Sequence, residues 1–313
     1  MEALSALVVE WEVDLGEMAP SSRVVYRRSV AQFGAFLDQH HPDITELDQI
    51  TQRHVKLWMI AMADAGRSDA TRRVRLAGLR SFFAFLIEDP TIPVVKNPTI
   101  GVPLPTVRVQ PVAVTPDADL AKLIASIEKA PSLHKRDPFN NTRDAAIIRV
   151  LISIGCRRSE LCGLDVADVD TKERTLALRK TKNGRARVVD MGGDKTLRAI
   201  LRYLRARNLH AGKDDPALFL SDRESPTFGW RLTGEGIAAM LERRTQKVGI
   251  PKIRPHQLRH TAAHDLLANG ALEIEVERIF GWSGGMMVRR YGASMADERA
   301  RAKSRLLKRG DRF

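Results

Sequence analysis

The chain has 313 residues, 43% of them hydrophobic and 28% charged, which is room for two ordinary domains and the composition of a globular protein. Its 51 Lys and Arg against 38 Asp and Glu give a formal net charge of +13, which points to a polyanion as partner, nucleic acid first. No apolar run nears the ~20 residues of a membrane span, the first residues lack the n-region and h-region of a signal peptide, and two cysteines, Cys156 and Cys162, are too few for a disulfide framework or a cysteine metal site. A cytoplasmic protein with no membrane partner is expected.

Residues 3–89 read as helical. Ser21 and Ser22 are N-cap candidates for a helix in which Val30, Phe33 and Leu37 form one stripe. Thr51 caps a helix through Ala65, ended by Gly66. Ser68 caps another, with Leu76, Leu79, Phe83 and Leu86 on one face. Arginines 23, 27, 28, 67, 72, 73, 75 and 80 gather on these helices, so a small helical bundle with a basic side is predicted. Prolines 98, 103, 105, 111 and 116 then forbid continuous helix. The division drawn from this is 1–98, a linker over 99–115, and a second domain over 116–313.

The second domain opens with Thr115 as an N-cap. Asn141 or Thr142 starts an apolar helix ending at Gly155. R-T-L-A-L-R-K (174–180) alternates Leu176 and Leu178 with polar residues and reads as a strand. Asn183-Gly184 is a hairpin-turn dipeptide, and 185–191 is the return strand. The remainder, 194–307, reads as mostly helical. The fold class expected is mainly α with a small β-sheet (α+β). The tail 299–313 carries seven basic residues and one Asp, with Leu306 and Leu307 as docking candidates on a partner.

The segment R-P-H-Q-L-R-H-T-A-A-H (254–264) spaces His256, His260 and His264 four apart on a helix opened by Pro255. A metal site is disfavoured. The H-E-x-x-H pattern is absent, Arg259 would repel a cation, and Leu258, Ala262 and Leu266 mark much of the helix as core. An anion fits better. His256 and Arg259 project to one side a turn apart, and a guanidinium offers a planar fork that matches phosphate. Arg157, in I-G-C-R-R-S-E-L (154–161), is a second arginine of this type. Two arginines on one phosphate would neutralise charge growing on a pentacoordinate phosphorus. Lys182 beside the hairpin turn is a candidate proton donor to a leaving oxygen, and Lys180 competes with it. Tyr291, in F-G-W-S-G-G-M-M-V-R-R-Y-G (280–292), is one of only three tyrosines.

Together these residues resemble the tyrosine recombinases, or phage integrases. Arg157 matches the first Arg of G-x-R-x-S-E-L, Lys182 the β-hairpin Lys, and H-Q-L-R-H the H-x-L-R-H box with His256 and Arg259. Trp282 stands at the H/W position of the G-[HW]-S segment, and Tyr291, nine residues on, at the nucleophile. The N-terminal half, including R-L-A-G-L-R-S-F-F-A-F-L (75–86) and Asn97-Pro98, is similar to the family's SAM-like, helical-bundle core-binding domain. Most members carry His where Trp282 stands; an indole donates one hydrogen bond and cannot act as a base. No arm-binding segment is evident, which suggests a simple or Xer-like enzyme.

The resemblance implies that Tyr291 attacks a backbone phosphate, forming a 3′-phosphotyrosine and releasing a 5′-hydroxyl, with no metal or cofactor. Arg157 and Arg259 would hold the non-bridging oxygens. Lys182 would be the general acid, His256 a general base or hydrogen-bond partner, and Trp282 would position the phosphate. Glu160 and His260 would fix the geometry around them. Arg27, Arg72, Arg73 and Arg75 are the candidates for DNA contact. The expected partner is double-stranded DNA with an inverted-repeat site, bound by a homotetramer on two sites. An accessory DNA-bending or directionality factor and a nucleoid-associated bacterial location are further expectations. The expected role is integration or excision of a phage or mobile element. Dimer resolution of the Xer type, topoisomerase action and a catalytically silent DNA binder are the alternatives.

Overall fold

The computed structural model describes residues 2–92, 94, 96–107, 113–128, 137–179, 186–282, 301, 304–307 and 309–312. The chain divides into two compact units, residues 1–109 and 110–313. No described helix is long and apolar enough to cross a membrane.

Among the described residues the regular structure of the first unit is all helical: α1 (Glu2–Asp14), α2 (Pro20–His40), α3 (Gln52–Asp64) and α4 (Asp69–Glu88). The stripes read from sequence face inward. Val30, Phe33 and Leu37 of α2 meet Leu76, Leu79, Phe83 and Leu86 of α4, all buried, with Phe82 joining them. Trp58 of α3 packs edge-on against Phe33 at 5.2 Å, and the fully buried Trp11 of α1 does the same against Phe82 at 5.2 Å. Ser68 caps α4 by accepting the Thr71 N–H, and Thr51 stands at the N-cap of α3. Gly66, just past α3, adopts φ +70°, a conformation that favours glycine. Ser21 and Ser22 do not cap α2. Pro20 occupies its first turn with Ala19 as N-cap, because a fixed φ and a missing N–H suit that position. Residues 97–102 pack back on this unit: Thr99 and Val102 are buried, and Arg80 donates to Val102 O at 3.1 Å.

In the second unit, α6 (Asp137–Ile154) runs through the core with Ile147, Ile148 and Leu151 fully buried, flanked by α5 (Asp117–Glu128), α8 (Asp194–Arg207) and α10 (Pro255–Ala268). Two starts differ from expectation. Pro116, whose carbonyl accepts from Asp119 and Leu120, heads α5, while the Thr115 hydroxyl is buried without a hydrogen-bond partner. Helix α6 begins at Asp137, not at Asn141 or Thr142. Thr142 lies inside it and bonds back to Pro138 O at 2.8 Å.

After the short α7 (Arg158–Cys162) come β1 (Val169–Asp170), β2 (Thr175–Leu178) and β3 (Arg187–Asp190), an antiparallel sheet in that order. Leu176 pairs with Val189 and Leu178 with Arg187. A two-residue turn at Asn183-Gly184 would have paired Leu178 with Val189; the turn itself lies outside the described residues. The stretch read as mostly helical also contains a hairpin, β4 (Leu220–Ser225) with β5 (Gly229–Arg231), ahead of α9 (Gly234–Lys247). Helix α11 (Glu273–Phe280) follows α10. Neither Cys156 nor Cys162 is in a disulfide. Burial pushes the Cys156 thiol up to about 12 and the partly buried Cys162 thiol up to about 11.

Candidate active site

The candidate site is built where the chain leaves α6, enters α7, and meets the ends of β3, α10 and α11. Gly155 ends α6 with φ +59°. A Cβ there would sit 2.5 Å from the Phe280 ring, so only glycine lets α6 and α11 approach this closely. Arg157 then takes the N-cap position of α7, and its backbone N–H donates to Glu160 Oε2 at 2.8 Å.

Glu160 is the hub. Its side chain is fully buried, and it accepts from Arg157 Nη1 at 2.7 Å and from both Nη atoms of Arg187 at 3.0 and 2.9 Å. Arg259 Nη1 lies 4.0 Å from Oε2. Burial raises the carboxyl's pKa, and the hydrogen bonds from Arg187 and from the Arg157 backbone and side chain outweigh it, leaving a value of about 2. Glu160 is therefore a carboxylate at every ordinary pH.

Arg259 is 1% exposed. Its Nη1 donates to Gly155 O at 2.7 Å and its Nη2 to Phe280 O at 2.6 Å. Its guanidinium lies over the Phe280 ring at 4.8 Å and the Trp282 ring at 5.3 Å. Burial, then the Arg157 charge, pushes its pKa down to about 9, still high enough for a cation at neutral pH. Arg157 Nη2 reaches the next carbonyl, Gly281 O, at 3.3 Å. The two arginines thus converge on one turn, the left-handed C-cap of α11 at Gly281, φ +59°. A Cβ on Gly281 would come 2.9 Å from Arg187 Nη1.

His256 is exposed at the start of α10, and its ring packs against the buried His260 ring at 4.1 Å. His264 is partly buried on the same helix. Among the described residues no group of three or more His, Cys, Asp or Glu could hold a metal. Lys182, its rival Lys180, and Tyr291 lie outside the described residues. The other two tyrosines are committed elsewhere. Tyr203 is fully buried, donating to Leu218 O and accepting from Leu220 N–H, and burial pushes its pKa up to about 12. Tyr26, in the first unit, stacks on Trp11.

Sequence reasoning passed over Arg187. A basic residue at the end of K-T-K-N-G-R-A-R resembles a solvated hairpin charge. The signal was present in the alternation: Arg187 stands two residues before the buried Val189, on the inward face of β3. The first unit's candidates are dispersed. Arg27 pairs with Glu12 at 3.2 Å, Arg72 pairs with Asp69, and Arg73 is exposed. Arg75 donates to Val25 O at 2.9 Å and lines a groove with Arg28, Arg67, Phe36 and Trp58.

Residues 118–298 match the phage integrase family, and residues 14–89 match its N-terminal SAM-like domain. A protein of Thermodesulfovibrio yellowstonii described as tyrosine recombinase XerC is 34% identical over 69% of this chain and 68% of its own length. Two solved structures share the fold. A XerH site-specific recombinase bound to a palindromic difH substrate has TM-score 0.71 and 18% identity over 90% of this chain and 79% of its own. The Tn1549 transposon integrase with transposon right-end DNA has TM-score 0.70 and 20% identity over 97% and 99%. The chain belongs to the phage integrase family: it is a tyrosine recombinase, an enzyme that cleaves and rejoins DNA.

Proposed function

We propose that the chain is a site-specific recombinase of the Xer type, working on inverted-repeat sites in duplex DNA, as a tetramer on two sites, to resolve joined circular replicons. The likeness to curated proteins called XerC favours this over integration of a mobile element, the role first expected from the sequence. The likeness to a transposon integrase is at the level of fold and does not weigh against it.

The chemistry assigned to the site rests on one observation above all: Arg157 and Arg259 converge on consecutive carbonyls, Gly281 O and Phe280 O, around a buried carboxylate. In this reading their free N–H groups grip the non-bridging oxygens of one phosphate. The Tyr291 hydroxyl oxygen attacks phosphorus, the bond to the 5′-oxygen breaks, and Lys182 gives that oxygen its proton. The resulting 3′-phosphotyrosine keeps the phosphodiester's energy, so the reverse attack by a 5′-hydroxyl rejoins a strand without ATP. A tyrosine has a pKa near ~10, so its proton must leave during attack, and the exposed His256 is the group assigned to take it. Trp282, stacked on Arg259, seats the phosphate.

The test is covalent capture. The protein is mixed with sheared DNA of its host, denatured, and the protein-linked fragments are sequenced beside a Tyr291→Phe control. Adducts from the wild type alone, clustered at one chromosomal inverted repeat, are expected. Clusters at the ends of a mobile element would return the role to integration, and salt-sensitive binding without adducts would point to a silent DNA binder.

A further inference from the structure

Arg187 has no part in the reaction as described, yet it is the most heavily engaged cation around Glu160. Both its Nη atoms sit on the two carboxylate oxygens, and its Nε donates to Ile279 O at 3.0 Å. Its side chain is 12% exposed. With all three nitrogens of its guanidinium, Nε included, committed to the protein, Arg187 has little left for a substrate. Arg157 differs: it keeps one side-chain bond to Glu160 and a longer one to Gly281 O, and its side chain is 22% exposed.

The cluster's charge explains why a third guanidinium is present. Glu160 is fully buried and ionised, and alone it would cancel one phosphate-holding cation. A buried carboxylate without its own partner draws the nearest cations onto itself, and here those are Arg157 and, at 4.0 Å, Arg259. With Arg187 in place, Glu160 still shapes the turn that carries Arg157 while the pocket keeps two net positive charges. We propose that Arg187 is a positioning residue that takes up the charge and both oxygens of Glu160, so that Arg157 and Arg259 keep their positive charge for the scissile phosphate. This rests on the phosphate-pocket reading above.

The test uses single-turnover cleavage by the full chain of a duplex carrying the captured site. One version has an ordinary scissile phosphate. The other has a methylphosphonate there, in which a methyl group replaces a non-bridging oxygen and removes the charge. Arg187→Gln is expected to slow cleavage of the ordinary phosphate by about 100-fold, the usual cost of losing one electrostatic contact to a transition state, because the unpaired Glu160 then draws Arg157 or Arg259 away from the phosphate. On the methylphosphonate, which needs little neutralisation, most of that gap closes. Adding Glu160→Gln to Arg187→Gln removes the unpaired charge and recovers part of the lost rate on the ordinary phosphate.

Thermal melts accompany each variant. If Arg187→Gln fails to fold, the double variant and Arg187→Lys, which keeps the charge and loses the two-point grip, carry the same comparison. Equal losses on both substrates with no recovery in the double variant would reduce Arg187 to a fold-holding residue, and unimpaired cleavage by Arg187→Gln would also overturn the proposal. Failure of the wild type to form a Tyr291-dependent adduct would sink the functional reading, and this inference with it.

Discussion

Replacing Gly155 with alanine tests whether the arginine pocket depends on the close approach of α6 to α11. Two costs follow from the structure. A residue with a Cβ at φ +59° loses roughly 1–2 kcal/mol to left-handed strain. The new Cβ would also lie 2.5 and 2.9 Å from two carbons of the Phe280 ring and 3.2 Å from Ala262 Cβ, and overpacking of this kind costs about 1–3 kcal/mol. Together they predict a loss of about 2–5 kcal/mol, or roughly 4–20 °C in Tm for a domain of this size. Gly249 is an internal control. It has φ +68° and nothing within 4 Å of where a Cβ would stand, so Gly249→Ala should show the strain alone. Because Gly155 O and Phe280 O both hold Arg259, displacing the ring should also slow cleavage. Thermal melts and the covalent-adduct assay measure the two effects. If Gly155→Ala and Gly249→Ala melt together and cleave alike, the contact does not organise the site as described.

Three further outcomes are expected. Tyr203→Phe leaves the Leu220 N–H without its buried partner, while Leu218 O keeps Arg207 Nε at 3.2 Å, and should cost about 1–3 kcal/mol in a melt while adduct formation persists; loss of adducts from the folded variant would challenge Tyr291 as nucleophile. Glu160 has its pKa lowered from 4.5 to about 2, so its stabilisation is complete above pH 4.5 and is lost as pH falls toward 2. The melting gap between wild type and Glu160→Gln should therefore narrow with acidification, and a constant gap would contradict the ionised hub. Arg73 is exposed on α4, so if it meets a phosphate, Arg73→Ala should reduce the slope of log affinity against log salt by about one, measured by fluorescence anisotropy.

Much of the helical framework was legible because local signals and burial agree there. Ser68 and Thr51 stand at their N-caps, and the stripes of α2 and α4 are buried as their spacing requires. The hairpin β4–β5 was not legible: L-S-D-R-E-S has no alternation of apolar residues, and its pairing with β5 is irregular. Arg157, His256, Arg259 and Tyr291 stood out because their spacing matches a family pattern. Arg187 did not, because its partner Glu160 is 27 positions away and only the folded sheet brings them together.

The two thiols have a practical consequence. Only the thiolate reacts with maleimides or haloacetamides, and with pKa values near 12 and 11 the thiolate fractions at pH 8 are roughly one in ten thousand and one in a thousand. The natural chain is therefore close to a silent background for labelling. A cysteine introduced at an exposed site in each unit, such as Val13 and Leu209, would accept a dye pair with the native cysteines untouched. Energy transfer between the dyes would then report the distance between the two labelled positions with and without DNA.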